Sequence, residues 1–195
     1  MQAVFGHLIN AQYLTGDETM RAIFKKVYSL EKRKQYDEAL KLIRKELKKR
    51  STPDLKELEI WVLYCSKNYS AAIEVAEKYL KRMRNNFEKA SIAGFLSLIH
   101  KESGNLDEER NYLDIRIGIH YKILNDPKSK SWQLNKARLN LITDLRFKGD
   151  LKSSLKVAKE MEKEFLKRAG DKRSMAAIYD ELSKIYKAMA EKLFE

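Results

Sequence analysis

The chain has 195 residues, a formal net charge of +12 at pH 7, 44% hydrophobic and 10% aromatic residues. These values exclude a disordered polar chain, and the seven Gly and two Pro argue against a turn-rich all-β fold. A single cysteine excludes an internal disulfide and fits a reducing compartment. The small number of Gly and Pro residues predicts an all-α protein. No apolar run approaches the ~18 residues of a membrane span, and together with the single cysteine this predicts a cytoplasmic location.

The first 16 residues differ from the rest because they contain no Lys, Arg, Asp or Glu. Phe5, Leu8, Ile9 and Tyr13 fall near helical spacing and form a short one-sided apolar stretch. An isolated helix of this length is marginal in water, so the stretch needs a surface to cover it. It is interpreted as a cap over the helices that follow, as an arm that docks on another copy or a partner, or as a disordered segment.

Apolar residues then recur at helical spacing between short breaks, which predicts about nine helices. Asp17 is a plausible cap of the first, Thr52 with Pro53 opens the third, and Trp132 belongs to the apolar stripe of the seventh. The final helix has nothing to pair with and is expected to cap the C-terminal end. The predicted helices cover 18–33, 36–50, 53–66, 69–84, 87–102, 106–124, 130–147, 151–169 and 172–193.

A turn motif recurs at the start of every second predicted helix. It reads Lys34-Gln35-Tyr36 the first time and returns, in looser form, every 33 to 45 residues or so. A supersecondary unit repeated at this period is typical of a helical repeat array. The later copies are Asn68-Tyr69, Gly104-Asn105-Leu106 and Gly149-Asp150-Leu151.

The motif resembles the tetratricopeptide repeat (TPR) family, which has a Gly before the turn, an aromatic residue after it and an Ala three residues later. Tyr36 with Ala39 and Tyr69 with Ala72 match the last two features, whereas Glu109 and Ser154 replace the small residue in later units. The resemblance implies a right-handed α-α superhelix of about four and a half helix pairs with a C-terminal capping helix. We therefore expect two parts, the arm at 1–16 and a repeat domain at 17–195.

The resemblance also implies a concave groove, lined by the first helix of each pair, that binds a peptide or protein segment. Its mixture of aromatic rings and cations suits an acidic and aromatic ligand. The implied groove residues are Arg21, Phe24, Lys25, Tyr28, Phe95, Lys136, Asn140, Thr143, Arg173 and Asp180.

Positive charge is concentrated in residues 21–50, which contain twelve Lys or Arg against four Asp or Glu. Within it, the helix at 36–50 has a cationic stripe on the face that the resemblance places outside. The stripe is interpreted as a solvated surface, as a sequence-independent nucleic-acid contact or as a contact for an acidic protein. It comprises Lys41, Arg44, Lys45, Lys48, Lys49 and Arg50.

No stretch carries the spacing of a catalytic, metal or cofactor site. His7, His100 and His120 are far apart and have no Cys or His partner at metal-ligand spacing, and there is no Gly-rich phosphate loop or nucleophile elbow. The main hypothesis is therefore a non-enzymatic scaffold, without metal or cofactor, that binds a peptide or protein. The alternatives are a nucleic-acid-associated factor using the helix near 32–50, and a homo-oligomer formed through residues 1–16.

Overall fold

The computed structural model of the protein describes residues 18–167 and 172–193, with side chains from residue 175 onward in the second range. The arm at 1–16, the Asp17 cap and the predicted break at Gly170-Asp171 lie outside the described residues. Within those residues every helix boundary falls within about two residues of its prediction, and the all-α fold is confirmed. The helices are α1 (Glu18–Lys32), α2 (Tyr36–Lys49), α3 (Pro53–Cys65), α4 (Tyr69–Arg82), α5 (Asn86–Glu102), α6 (Leu106–Asn125), α7 (Ser131–Lys148), α8 (Leu151–Lys167) and α9 (Lys172–Glu191).

The four turns of the repeated motif have the same backbone geometry. In each, one residue has a positive φ between 60° and 85°, and the next residue donates its N–H to the carbonyl five positions back. This is the Schellman arrangement, which satisfies the last carbonyls of a helix. The left-handed residues are Lys34, Lys67, Gly104 and Gly149, and the bonds are Gln35–Leu30 (2.9 Å), Asn68–Leu63 (3.1 Å), Asn105–His100 (2.9 Å) and Asp150–Leu145 (2.9 Å).

In three of the four turns, the residue after the left-handed position also caps the following helix; in the first turn, Gln35 makes no such side-chain bond. The side-chain oxygens of Asn68, Asn105 and Asp150 each accept the backbone N–H three residues on, at 3.1 to 3.3 Å. Such caps satisfy amides that have no partner inside the helix. The predicted cap at Thr52 is confirmed, since its hydroxyl accepts the Leu55 N–H with Pro53 as the first helical residue.

The described residues belong to two compact units, Met1–Val75 and Ala76–Glu195. In the first unit, α1 to α3 enclose apolar side chains such as Val27, Ile43 and Leu55, each at most 1% exposed. In the second, α5 to α9 share three apolar clusters, one of which joins α7, α8 and α9 through Ile142, Met161 and Ile178.

The family's small-residue position behaves differently in the four units. Ala39 and Ala72 are completely buried, as a close helix crossing requires. Ser154 is also buried and keeps its polar group satisfied by donating to the Ile142 carbonyl at 2.7 Å. Glu109 instead is 18% exposed and pairs with Lys101 at 3.3 Å, so its longer side chain ends in an ion pair.

None of the described helices combines the length and the apolar character that crossing a bilayer needs.

Candidate functional site

In the second unit, α5 and α7 lie in parallel, with their starts in contact and their ends in contact. Phe87, at the start of α5, and Trp132, at the start of α7, form an edge-on ring pair with centroids 5.4 Å apart. Near the other end of both helices, the Lys101 ammonium lies 5.8 Å from the centre of the Phe147 ring. This alignment brings side chains of two successive first helices onto one surface.

The N-terminal end of this surface combines an exposed indole with a cation. Trp132 is 57% exposed, although the sequence placed it in the apolar core stripe of its helix; that expectation is wrong. Its position in the first turn of α7 lies beyond the buried clusters, so the indole packs on Phe87 rather than inside. The Lys136 ammonium lies 5.1 Å from the centre of the Phe87 ring, within cation–π range.

The C-terminal end has the same chemistry with different residues. Phe147 is 61% exposed and lies between two cations, the guanidinium of Arg146 at 4.6 Å and the ammonium of Lys101 at 5.8 Å. Both cations also have carboxylate partners, Glu181 for Arg146 and Glu109 for Lys101, each at 3.3 Å.

Between the two ends, Asn140 and Thr143 are half-buried and follow Lys136 at helical spacing, so they share its face of α7. The Thr143 hydroxyl donates to the Leu139 carbonyl at 3.1 Å. From Trp132 to Phe147 the surface extends ~22 Å along the helix at 1.5 Å per residue. We call this surface the α5–α7 face, defined by Phe87, Lys101, Trp132, Lys136, Asn140, Thr143, Arg146 and Phe147.

A buried charge cluster joins α6 to α7 next to α5, and it was not predicted from the sequence. Arg116 of α6 places Nη1 3.1 Å from Oδ1 of Asp144, whose carboxylate is completely buried. His120 Nε2 is 3.4 Å from the other carboxylate oxygen. Gly94 of α5 makes room for the guanidinium, since a Cβ there would lie 2.9 Å from Nη1. A lone Gly inside a helical pattern was the available signal.

The predicted groove residues of the first unit all lie on α1 and differ in exposure. Phe24 is buried and presents no ring to a ligand, whereas Arg21 is half-buried and Lys25 and Tyr28 are exposed. The Lys32 ammonium lies 4.7 Å from the centre of the Tyr28 ring.

In the second unit the structure brings Lys136, Asn140 and Thr143 together on the α5–α7 face. Phe95 is buried in the core, 4% exposed, and leaves no surface for a ligand. Asp180 is exposed on α9, where it pairs with Lys184. Arg173 lies in the first turn of α9, outside the described side chains.

The cationic stripe of α2 is partly engaged in ion pairs. Arg44 donates to Glu59 of α3 at 2.7 Å, and Lys49 pairs with Glu46 at 2.8 Å. Arg50 is half-buried and has contacts within the unit. All four lysines of the stripe, Lys41, Lys45, Lys48 and Lys49, are exposed.

Among the described residues, no group of three or more His, Cys, Asp or Glu side chains is placed to hold a metal ion.

Paired antiparallel helices with one repeated turn geometry define this chain as a TPR-like helical repeat protein. Comparison with solved structures shows the same fold. The chain matches the TPR-like repeats assigned to a kinesin light chain of Podosopora anserina with a TM-score of 0.59 and 15% identity, over 92% of this chain and 91% of that one. It matches a variant of that protein with a TM-score of 0.60 and 14% identity, over 90% and 88%. No family model and no curated protein matches the sequence.

Proposed function

We propose that this protein is a non-enzymatic interaction scaffold whose α5–α7 face binds an extended peptide segment carrying apolar and acidic side chains. The TPR-like fold suggests a protein-interaction scaffold in general. The observation that carries the finer proposal is the exposure of two large aromatic rings, Trp132 and Phe147, at opposite ends of one face and each beside cations.

Exposed aromatic rings at fixed positions are suited to anchor a ligand. Trp, Tyr and Arg are enriched among the residues that dominate binding energy, and Phe is enriched at interfaces in general. The ~22 Å between the anchors corresponds to six or seven residues of extended chain at ~3.3 Å each. The ligand is therefore expected to present apolar side chains at both ends of such a segment.

The cations of the face lie beside the two anchors, so they favour acidic side chains next to the apolar ones at the ends of that segment. Lys136 lies beside the N-terminal anchor. Lys101 and Arg146 lie beside the other anchor and have carboxylate partners at 3.3 Å. Electrostatic attraction should therefore steer and orient the peptide more than it adds to affinity. Asn140 and Thr143, half-buried between the anchors, offer polar groups to the peptide backbone.

The test is selection of random twelve-residue peptides on the immobilised protein, followed by titration of the selected peptides by fluorescence polarisation. Trp132→Ala and Phe147→Ala should each weaken binding about tenfold or more, the effect of truncating an anchor residue. Tyr121→Ala, which removes an exposed ring of α6, is the matched control and should leave affinity unchanged. Peptides that bind both anchor variants as well as the parent would refute the proposal.

A second candidate function is a salt-sensitive contact of α2 with nucleic acid. Lys41, Lys45 and Lys48 are exposed at a spacing that keeps them on one face. It ranks second because Arg44 and Lys49 are held by carboxylates. Titration of duplex and single-stranded DNA at increasing salt, with the triple Lys→Glu variant at these positions, tests it. No binding at low salt removes it.

A further inference from the structure

One side of α9 carries a stripe of exposed, uncharged residues at alternating spacings of three and four. Tyr179, Tyr186 and Leu193, in the turn after the helix, are 48%, 49% and 83% exposed. This a/d spacing is the seam of a coiled coil. We call the stripe the α9 seam; its residues are Ala176, Tyr179, Ser183, Tyr186, Ala190 and Leu193, all exposed.

The α9 seam is separate from the surfaces that α9 uses within its own unit. Ile178 and Ile185 are completely buried in the cluster shared with α7 and α8, and Glu181 faces α7 through its ion pair with Arg146. At 100° per residue, the seam is centred about 120° around the helix from Ile178 and Ile185 and about 170° from Glu181, so it borders the buried face on the side of Leu182. None of the helices in the described ranges 18–167 and 172–193 covers it.

We propose that the α9 seam is a self-association surface on which α9 of a second copy packs in the antiparallel direction. The sequence of the seam is complementary to itself in that direction. With full overlap, Ser183 faces the partner's Tyr186, Ala190 faces the partner's Tyr179, and Ala176 faces the partner's Leu193. Every layer then joins one small and one large side chain, the alternation that lets facing helices interdigitate. A parallel pairing would instead oppose Tyr with Tyr and Ala with Ala.

Charge complementarity selects the same arrangement. Asp180 and Lys187 are both exposed and flank the same edge of the seam, one heptad apart. Asp180 pairs with Lys184 of its own helix, and in the antiparallel pair it also lies beside the partner's Lys187. By symmetry this second contact occurs twice. In a parallel pair, Asp180 and Lys187 would instead lie beside the partner's Met175 and Leu182, so neither charge would meet its opposite.

The size of the seam limits the strength of association. It spans ~26 Å along one helix at 1.5 Å per residue, so it buries less than the ~1,200 Å² of a standard protein interface. We therefore expect a concentration-dependent dimer with a dissociation constant on the order of 10–100 μM.

The experiment is sedimentation equilibrium of the full chain between 1 and 500 μM, as an order-of-magnitude range set by that dissociation constant. Asp180→Lys and Lys187→Asp should each weaken dimerisation about fivefold or more, because two attractive contacts become repulsive. An equimolar mixture of the two variants should associate as the parent does, because each Lys then meets an Asp. Both variants are followed by circular dichroism to check that their helix content is unchanged.

A second variant tests the centre of the seam. Ser183→Glu places two like charges beside each other in the dimer and should leave only monomer, whereas Ser70→Glu, at an exposed serine of α4, should dimerise as the parent does. Monomer at every concentration of the parent, or a mixture of charge variants no more associated than either alone, would overturn the proposal. Neither result bears on peptide binding at the α5–α7 face, which is read out separately.

Discussion

Arg116 of α6 and Asp144 of α7 form an ion pair whose carboxylate is completely buried while the arginine side chain is one quarter exposed. The remaining carboxylate oxygen faces His120, itself 1% exposed. This pair joins α6 to α7 at the level where Gly94 of α5 comes closest to the guanidinium. Because Arg116 binds Asp144 of α7 and lies against Gly94 of α5, it helps to position both helices of the α5–α7 face.

Removing the arginine should be costly because it leaves a buried carboxylate without its cation. We expect Arg116→Met to lower the free energy of unfolding by about 3–5 kcal/mol. Lys148→Met is the control, since it breaks the pair with Asp114, in which both side chains are about half exposed, and should cost about 1 kcal/mol or less. Urea denaturation followed by circular dichroism measures both. Equal losses would show that burial of Asp144 has no energetic role.

Gly94 and Gly118 should respond in opposite directions to alanine. A Cβ at position 94 would lie 2.9 to 3.1 Å from three atoms of the Arg116 guanidinium, whereas nothing lies within 4 Å at position 118. Gly118→Ala should stabilise the protein by about 0.5–1 kcal/mol through helix propensity. Gly94→Ala should destabilise it by displacing Arg116 from Asp144, and this loss should disappear when Arg116 is already Met. A double-mutant cycle in urea measures the coupling.

The left-handed turn positions predict which substitutions stabilise the chain. Lys34 and Lys67 adopt φ values of 60°, which cost about 1–2 kcal/mol in a residue with a side chain. Lys34→Gly and Lys67→Gly should each raise thermal stability, by up to about 1 kcal/mol after the entropy that Gly loses on folding. Gly104 also has a positive φ, and an added Cβ would meet no neighbouring atom within 4 Å. Gly104→Ala should therefore lower thermal stability through backbone strain alone. Calorimetry of the three variants checks the prediction.

Tyr112 should make stability depend on pH in the alkaline range. Burial raises the pKa of its phenol to about 12, and the hydrogen bond to Glu77 at 2.8 Å adds to the rise. The folded state keeps the proton that the unfolded chain loses near pH ~10, so this contribution to stability is complete below pH ~10 and is lost as the pH rises to ~12. The stability difference between the parent and Tyr112→Phe should shrink over that range. Tyr121→Phe should show no such trend.

Cys65 should react slowly in the folded protein. Burial, with a smaller effect of the nearby Glu31 carboxylate, raises the pKa of its thiol to about 12, so little thiolate exists at neutral pH. Because the thiolate is the nucleophile, reaction with Ellman's reagent at pH ~8 should be ~10²–10³-fold slower than in urea. Equal rates in the two states would show that the thiol is accessible and ionised.

The nine helices of the described chain and its four repeated turns follow from the sequence alone. Their signals act over at most six residues. They are an Asn or Asp that caps the next helix in three turns, a Gly before it in two of them, and apolar side chains every three or four positions. The outline of the α5–α7 face was predicted only through Lys136, Asn140 and Thr143, which share one helical face.

Tertiary structure decided which side chains are available. Phe24 and Phe95 are buried and Trp132 is exposed, contrary to their expected roles, because burial depends on how distant helices cross. Arg44 is held by Glu59 in the next helix for the same reason. Arg116 and Asp144 pair although they are 28 positions apart, and no local sequence pattern predicts this contact. Periodicity therefore determined the repeat fold of this protein, while contacts between helices determined which of its rings and charges are exposed.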